Sequence, residues 1–193
     1  MHPGARLPAS AHTERPWRIH ELAREFRLED VWALPTPGGP EDFPRLLQLM
    51  SSFSASQSST VVRLLFAIRW RVGALLGWDA HETEKSAERP TLRSRLPPDL
   101  RDVPSGPASR PFASLYRTDD EWAAEIVNRT VHGILHLGWV EDGRGGYRGQ
   151  MAVLVKPNGR FGAGYLAAIR PFRYAIVYPR MLKEIGRQWR AVN

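Results

Sequence analysis

The stretch that decides the fold is Arg160–Arg190, RFGAGYLAAIRPFRYAIVYPRMLKEIGRQWR. Phe161, Tyr165, Ile169, Phe172, Ile176, Leu182, Ile185 and Trp189 follow one another mostly at three- and four-residue steps. On a helix that spacing gathers them into one broad apolar stripe. Arg160, Arg170, Arg173, Lys183, Arg187 and Arg190 fall largely on the opposite, wet side. Pro171 and Pro179 interrupt the pattern, each lacking the N–H that would reach the carbonyl of Ala167 or Ala175. An interior proline costs about 3 kcal/mol in a helix. The two prolines point to one kinked helix or to two helices broken near Arg170, and the favoured reading is a single long kinked C-terminal helix.

Working outward, four strand-like runs precede this helix: Phe112–Thr118, Glu121–Val127, Thr130–Val140 and Tyr147–Lys156. Asp119-Asp120, Asn128-Arg129 and Glu141–Gly146 are short enough to require antiparallel neighbours. Within these runs the residues alternate. Val131, Leu135, Leu137 and Trp139 share a face opposite His132, Ile134 and His136, and Met151 and Val153 lie opposite Gln150. Trp122, Ala124 and Ile126 oppose Glu121 and Glu125 in the same way. One apolar and one polar side predict a sheet covered on one face only, by the C-terminal helix. The fold class is therefore α+β. Aromatics of mixed size on the apolar side leave two readings open, a filled core or a cavity between sheet and helix, built in either case from Trp122, Ile126, Leu135, Leu137, Trp139, Met151, Val153, Tyr165, Ile169 and Phe172.

Towards the N-terminus, residues 1–15 read as a disordered leader, with Pro3, Gly4 and Pro8 and no periodicity. Residues 16–193 then make a single domain. Phe26–Leu34 reads as a first strand ending at Pro35, and two helices follow. One opens at Pro40-Glu41-Asp42 and carries Phe43, Leu46, Leu47 and Met50; the other spans Val61–Leu76 and closes at Gly77. Residues 79–91 and 97–111 read as loops around a short strand near Thr91–Leu96.

Composition removes several chemistries. The chain has no cysteine, which excludes thiolate catalysis, cysteine-ligated zinc and disulfide scaffolds. No apolar signal segment is visible in the first twenty residues, and Val61–Leu76 is too short and too arginine-interrupted to span a bilayer. A soluble cytoplasmic protein without a membrane partner is expected. The net charge of +7 comes from 24 arginines and only three lysines, spread from Arg6 to Arg190 without a run of like charges. That dispersal fits a GC-rich coding bias better than a nucleic-acid-binding patch.

Certain motifs carry a resemblance. Leu65-x-x-Ile68-Arg69 with Gly77, Gly138-Trp139, and Gly159-Arg160 running through Tyr165, Arg170-Pro171-Phe172 and Ile176-Val177 resemble domain of unknown function 2867, a bacterial family. The likeness covers roughly residues 16–191. It implies similarity to the helix-grip superfamily of START, Bet v 1 and polyketide-cyclase proteins, in which a curved antiparallel sheet grips a long C-terminal helix, two short helices follow the first strand, and the groove commonly holds an apolar ligand. Some members resemble the tail of proteins that begin with a nucleotide-binding, short-chain-dehydrogenase-like domain. Redox chemistry would then need a separate nucleotide-binding oxidoreductase as partner.

The chemical constellations point less far. His132 and His136 stand at chelating spacing for a helix, but on a strand four residues separate them by about 13 Å, too far for one ion. They read as ordinary sheet-surface histidines, and no metal site is expected. Asp79, His81 and Glu82 fall in a polar loop, and Asp119, Asp120 and Glu121 suit a turn. Gly159-x-x-Gly162-x-Gly164 lacks dinucleotide-fingerprint spacing, so no cofactor is expected. Three functions stay open: a protein binding a hydrophobic or amphipathic small molecule, a cyclase, dehydratase or hydrolase in the same cavity, and an arginine-rich interaction or nucleic-acid module. For the enzyme, Tyr147, Tyr165 and Tyr178 are the ionisable groups that reach the apolar side.

Overall fold

Five strands form one curved antiparallel sheet in the order β1-β5-β4-β3-β2, and a long C-terminal helix lies against it. The computed structural model describes residues 4–55, 90–107, 111–128 and 131–191. The helix expected at 61–76 and the Asp79, His81, Glu82 cluster lie outside those residues. The strands are β1 (Arg27–Ala33), β2 (Ala113–Arg117), β3 (Glu121–Val127), β4 (Val131–Glu141) and β5 (Tyr147–Pro157). Helix α1 is Ser10–Thr13, α2 Ile19–Leu22, α3 Phe43–Ala55 and α4 Pro98–Arg101. Helix α5 (Gly159–Phe172) continues through a π turn (Arg173–Val177) into α6 (Tyr178–Ala191).

The hairpins follow from local chemistry. Asp142 Oδ1 accepts from the amides of Arg144 and Gly146, and Gly143 and Gly145 take the positive φ angles of 76° and 87° that this turn requires. The hairpin sets an eleven-pair β4–β5 ladder, from Glu141↔Tyr147 to Val131↔Pro157. Asn128 turns β3 into β4, its Oδ1 accepting from the Val131 amide at 3.0 Å.

On one face, which we call the helix face, Leu46, Leu47 and Met50 of α3 join Leu182, Ile185 and Trp189 of α6. They pack over Trp122, Leu137, Trp139 and Met151. Burying each aliphatic side chain contributes about 1.5–3 kcal/mol. Two indoles also anchor the loop before α3, Trp139 donating to Gly39 O and Trp189 to Pro37 O, both at 2.9 Å.

The opposite face is covered as well, contrary to the expectation of a one-sided sheet. Trp17, Ile19, Leu22 and Phe26 join Leu92, Leu96 and Leu100 over Leu115, Tyr116, Ala123, Ile134, Ala152 and Leu154. Polar residues that alternate with apolar ones on a strand need not face solvent when another layer supplies their hydrogen bonds. Here Glu121, Glu125, His132, His136 and Gln150 are all buried, each with a hydrogen-bond partner.

Residues 4–15, within the segment expected as a leader, supply part of that cover. Gly4 and Leu7 donate to Ala33 O and Val31 O at 3.0 and 2.8 Å, and Ala33 donates to Ala5 O at 2.9 Å. These bonds occupy the outer edge of β1 and bury Leu7. The strand expected near Thr91–Leu96 is a 3-10 turn, Leu92–Arg95, and the loop expected from 97 contains α4.

The C-terminal helix is one helical run, with its irregularity a few residues beyond Arg170. In the π turn the Tyr178 amide donates to Arg173 O, five residues back. Pro179 has no N–H for Ala175 O, and the wider turn takes up that gap. The extra residue places Val177 and Tyr178 both inward, and it buries Arg173, which the helical stripe had assigned to solvent.

Candidate functional site

Asp30 lies on β1 next to a register shift between Leu28 and Asp30 that turns its side chain to the helix face. There it meets the π turn. Arg173 Nη2 donates to Asp30 Oδ2, as does the Tyr178 hydroxyl at 2.7 Å, and the Tyr174 hydroxyl donates to Oδ1. Arg173 Nη2 also donates to the Tyr178 oxygen at 2.6 Å. Burial alone would lower the Arg173 pKa, but Tyr178 and Asp30 outweigh it and the net shift is upward. Burial raises the Tyr178 hydroxyl, which stays protonated. Arg6 and Arg170 stand over the Tyr174 ring at 4.7 and 6.0 Å. Arg173 is thus the guanidinium that meets the carboxylate, Glu29 adds a second negative charge within electrostatic reach of it, and Arg6 and Arg170 stand over the Tyr174 ring.

Apolar surface runs away from this cluster. Asp30 pairs with Val153, Val153 with Leu135, and Leu135 with Ala124, one row across four strands. Leu135 and Val153 are only half-buried, as are Ile126 of β3 and Ile169 and Phe172 of α5. Trp122, Leu137, Trp139 and Met151, the other candidates for a cavity lining, fill the closed core under α3 and α6. The side chain of Tyr165 lies outside the described residues. Trp32 packs against Tyr178, ring centroids 4.7 Å apart, and its buried Nε1–H has no acceptor among the described residues.

Of the tyrosines considered for chemistry, Tyr178 sits in the cluster. Tyr147 lies at the far end of β5, its hydroxyl 3.5 Å from Glu141. Asp30 and Arg173 are ionisable groups on the apolar face that the sequence reading missed. The signal was the shared parity of Asp30 with Trp32, hidden by the irregular register.

The histidines expected on the sheet surface are buried on the other face, each with its own carboxylate. His132 Nε2 lies 2.7 Å from Glu125 Oε2 and His136 Nε2 2.9 Å from Glu121 Oε2. His136 continues to His12 and His12 to His20, both at 3.2 Å. The groups string out instead of converging. No three His, Asp or Glu side chains among the described residues are placed to hold a metal ion.

Residues 22–180 match the family described as protein of unknown function (DUF2867). The chain belongs to that family. No curated protein and no solved structure matches it. The DUF2867 match contains Asp30, Glu121, His136, Arg173 and Tyr178, whereas His12, Trp17 and His20 precede it. No helix among the described residues is long and apolar enough to cross a membrane.

Proposed function

We propose that this DUF2867 chain is a helix-grip protein that binds an amphipathic small molecule between the sheet and α5. The observation that carries this reading is the half-buried pair Leu135 and Val153, in register with Asp30 of the buried Asp30–Arg173–Tyr178 cluster, together with the half-buried Ile169 and Phe172 of α5. An apolar tail over the strip would bury surface at roughly 25 cal/mol per Å². A polar head would meet the tyrosine hydroxyls and the excess of arginine. The indole N–H of Trp32, without an acceptor among the described residues, supports the same end of the site, since a buried donor left unpaired costs about 1–3 kcal/mol. Arg6 and Arg170, over the Tyr174 ring beside the Asp30–Arg173 pair, favour an anionic head.

The test is displacement of 1-anilinonaphthalene-8-sulfonate, itself an amphipathic anion. Medium-chain fatty acids should compete with the dye, and Val153→Trp, which fills the strip, should weaken dye binding by about tenfold in a folded chain. Absence of dye binding, or dye binding unchanged in the filled variant, would remove the reading.

A further inference from the structure

The face away from the C-terminal helix holds a different arrangement. A cleft of about 390 Å³ is lined by Arg15, Pro16, Trp17, Arg18, Thr118, Asp120 and Glu121. Glu121 forms its buried floor, and its Oε1 accepts the Arg18 amide at 2.9 Å. Its Oε2 faces His136 Nε2; His136 Nδ1 faces His12 Nε2, and His12 Nδ1 faces His20 Nε2. Each inner imidazole is therefore bridged through both nitrogens. His12 and His136 are buried while His20 is partly exposed, so the chain runs from the cleft floor towards solvent.

We propose that this cleft is a proton-transfer site for a small organic anion, in which Glu121 exchanges a proton with the bound molecule and His136, His12 and His20 relay it to and from solvent. Burial holds His12 and His136 neutral, pulled down to about 3, so each has one N–H and one lone pair to contribute. With Glu121 ionised, every Nε2–H points towards it. A proton arriving at His20 Nδ1 moves the His20 Nε2 proton to His12 Nδ1. The His12 Nε2 proton then passes to His136 Nδ1, and the His136 Nε2 proton to the carboxylate. One proton enters, one reaches Glu121, and no charge stays on an imidazole. The reverse sequence drains a proton that Glu121 has taken from the bound molecule.

Each passage inverts all three tautomers and the return passage restores them. The arrangement thus suits a reaction that gives and takes one proton per turnover, a keto–enol or double-bond shift, which needs no co-reactant. Burial pushes Glu121 up to about 7, where acid and base forms coexist near neutrality. The groups around it are Tyr116 from β2, Asp120 from the preceding turn, His136 from β4, Arg18 at the start of α2 and His20 within it. For the anion, Arg15 stands over the Trp17 ring at 5.9 Å and has no carboxylate partner among the described residues. The Arg18 guanidinium is already held by Glu21 and Asp99 at 2.9 and 2.5 Å. The site lies on the opposite face from the sheet–α5 strip, so dye displacement there leaves this inference unaffected.

Long-range proton–nitrogen spectra of the full chain read the tautomers directly. His136, His12 and His20 should exchange Nε2–H for Nδ1–H together as Glu121 takes up its proton, and His12→Gln should disconnect His20 from that transition. Succinate should shift the Trp17 indole resonance, with about tenfold weaker binding in Arg15→Ala. Tautomers that stay fixed or change independently through the Glu121 titration would overturn the relay. A Trp17 signal indifferent to succinate would overturn the anion site.

Discussion

Asp30 of β1 and Arg173 of the π turn form an ion pair buried between sheet and helix, 143 residues apart in the chain. The pair joins the edge strand to the one irregular turn of the C-terminal helix. Two tyrosine hydroxyls complete the carboxylate's bonds, which a buried charge requires.

Asp30→Asn keeps the side-chain shape and removes the charge, leaving the Arg173 guanidinium buried without its counter-ion. The expected loss is about 3–5 kcal/mol in unfolding free energy, measured by urea denaturation. A loss below about 1 kcal/mol would show that water already screens the pair.

Acid should destabilise the chain chiefly through the leader-face imidazoles. His12 and His136 fall from 6.5 to about 3 by burial, so the unfolded chain binds more protons throughout that window. Their stabilisation is present above pH 6.5 and is lost on acidification, at up to about 1.4 kcal/mol per pH unit for each. Glu121 works in the opposite sense: raised from 4.5 to about 7, it stabilises the fold at low pH and loses that contribution as pH rises through the window. Two imidazoles against one carboxyl leave a net fall in Tm below pH 6.5. His12→Phe should flatten that fall, as read from Tm against pH.

The sequence made the sheet legible because alternation and short turns are local signals. β3 was placed to the residue, and β4 and β5 to within one residue. The long helix was legible from its stripe. The cover on the second face was not, because burial of Glu121 and His136 depends on Arg18 and His12, more than a hundred residues away in the N-terminal segment. Their parity was nevertheless visible. Glu121 and Glu125 alternate with apolar residues as His132 and His136 do, and a turn at Asn128 brings the two pairs together diagonally across β3 and β4. Arg173 was assigned to solvent by a strict helical period, and the extra residue of the π turn is what a fixed period does not represent.

The leader should act as an edge cover. A chain beginning at Ser10 loses the backbone bonds to Val31 and Ala33 and the buried Leu7, exposing the outer edge of β1. Lower Tm and concentration-dependent association in sedimentation velocity are expected. Unchanged Tm and a sharp monomer boundary would show that the edge needs no cover.

Two glycine substitutions should have opposite signs. Gly138 lies directly opposite Glu121 in the β3–β4 ladder, and the Trp17 ring rests against it. A Cβ there would meet Trp17 Cη2 and Cζ2 at 2.6 and 2.7 Å, the rigid edge of a buried ring. Gly138→Ala must displace the indole, at a cost of about 1–3 kcal/mol. The displaced ring also uncovers the Glu121 carboxyl, whose pKa should fall towards the ordinary range as water reaches it. Red-shifted tryptophan emission and a lower Glu121 midpoint in carboxyl NMR are the readouts. Gly164 is exposed in α5, and a Cβ there meets nothing within 4 Å. Gly164→Ala should therefore stabilise the helix by about 1 kcal/mol with no change in emission. If both variants shift stability in the same direction, contact with Trp17 is not what excludes a side chain at Gly138.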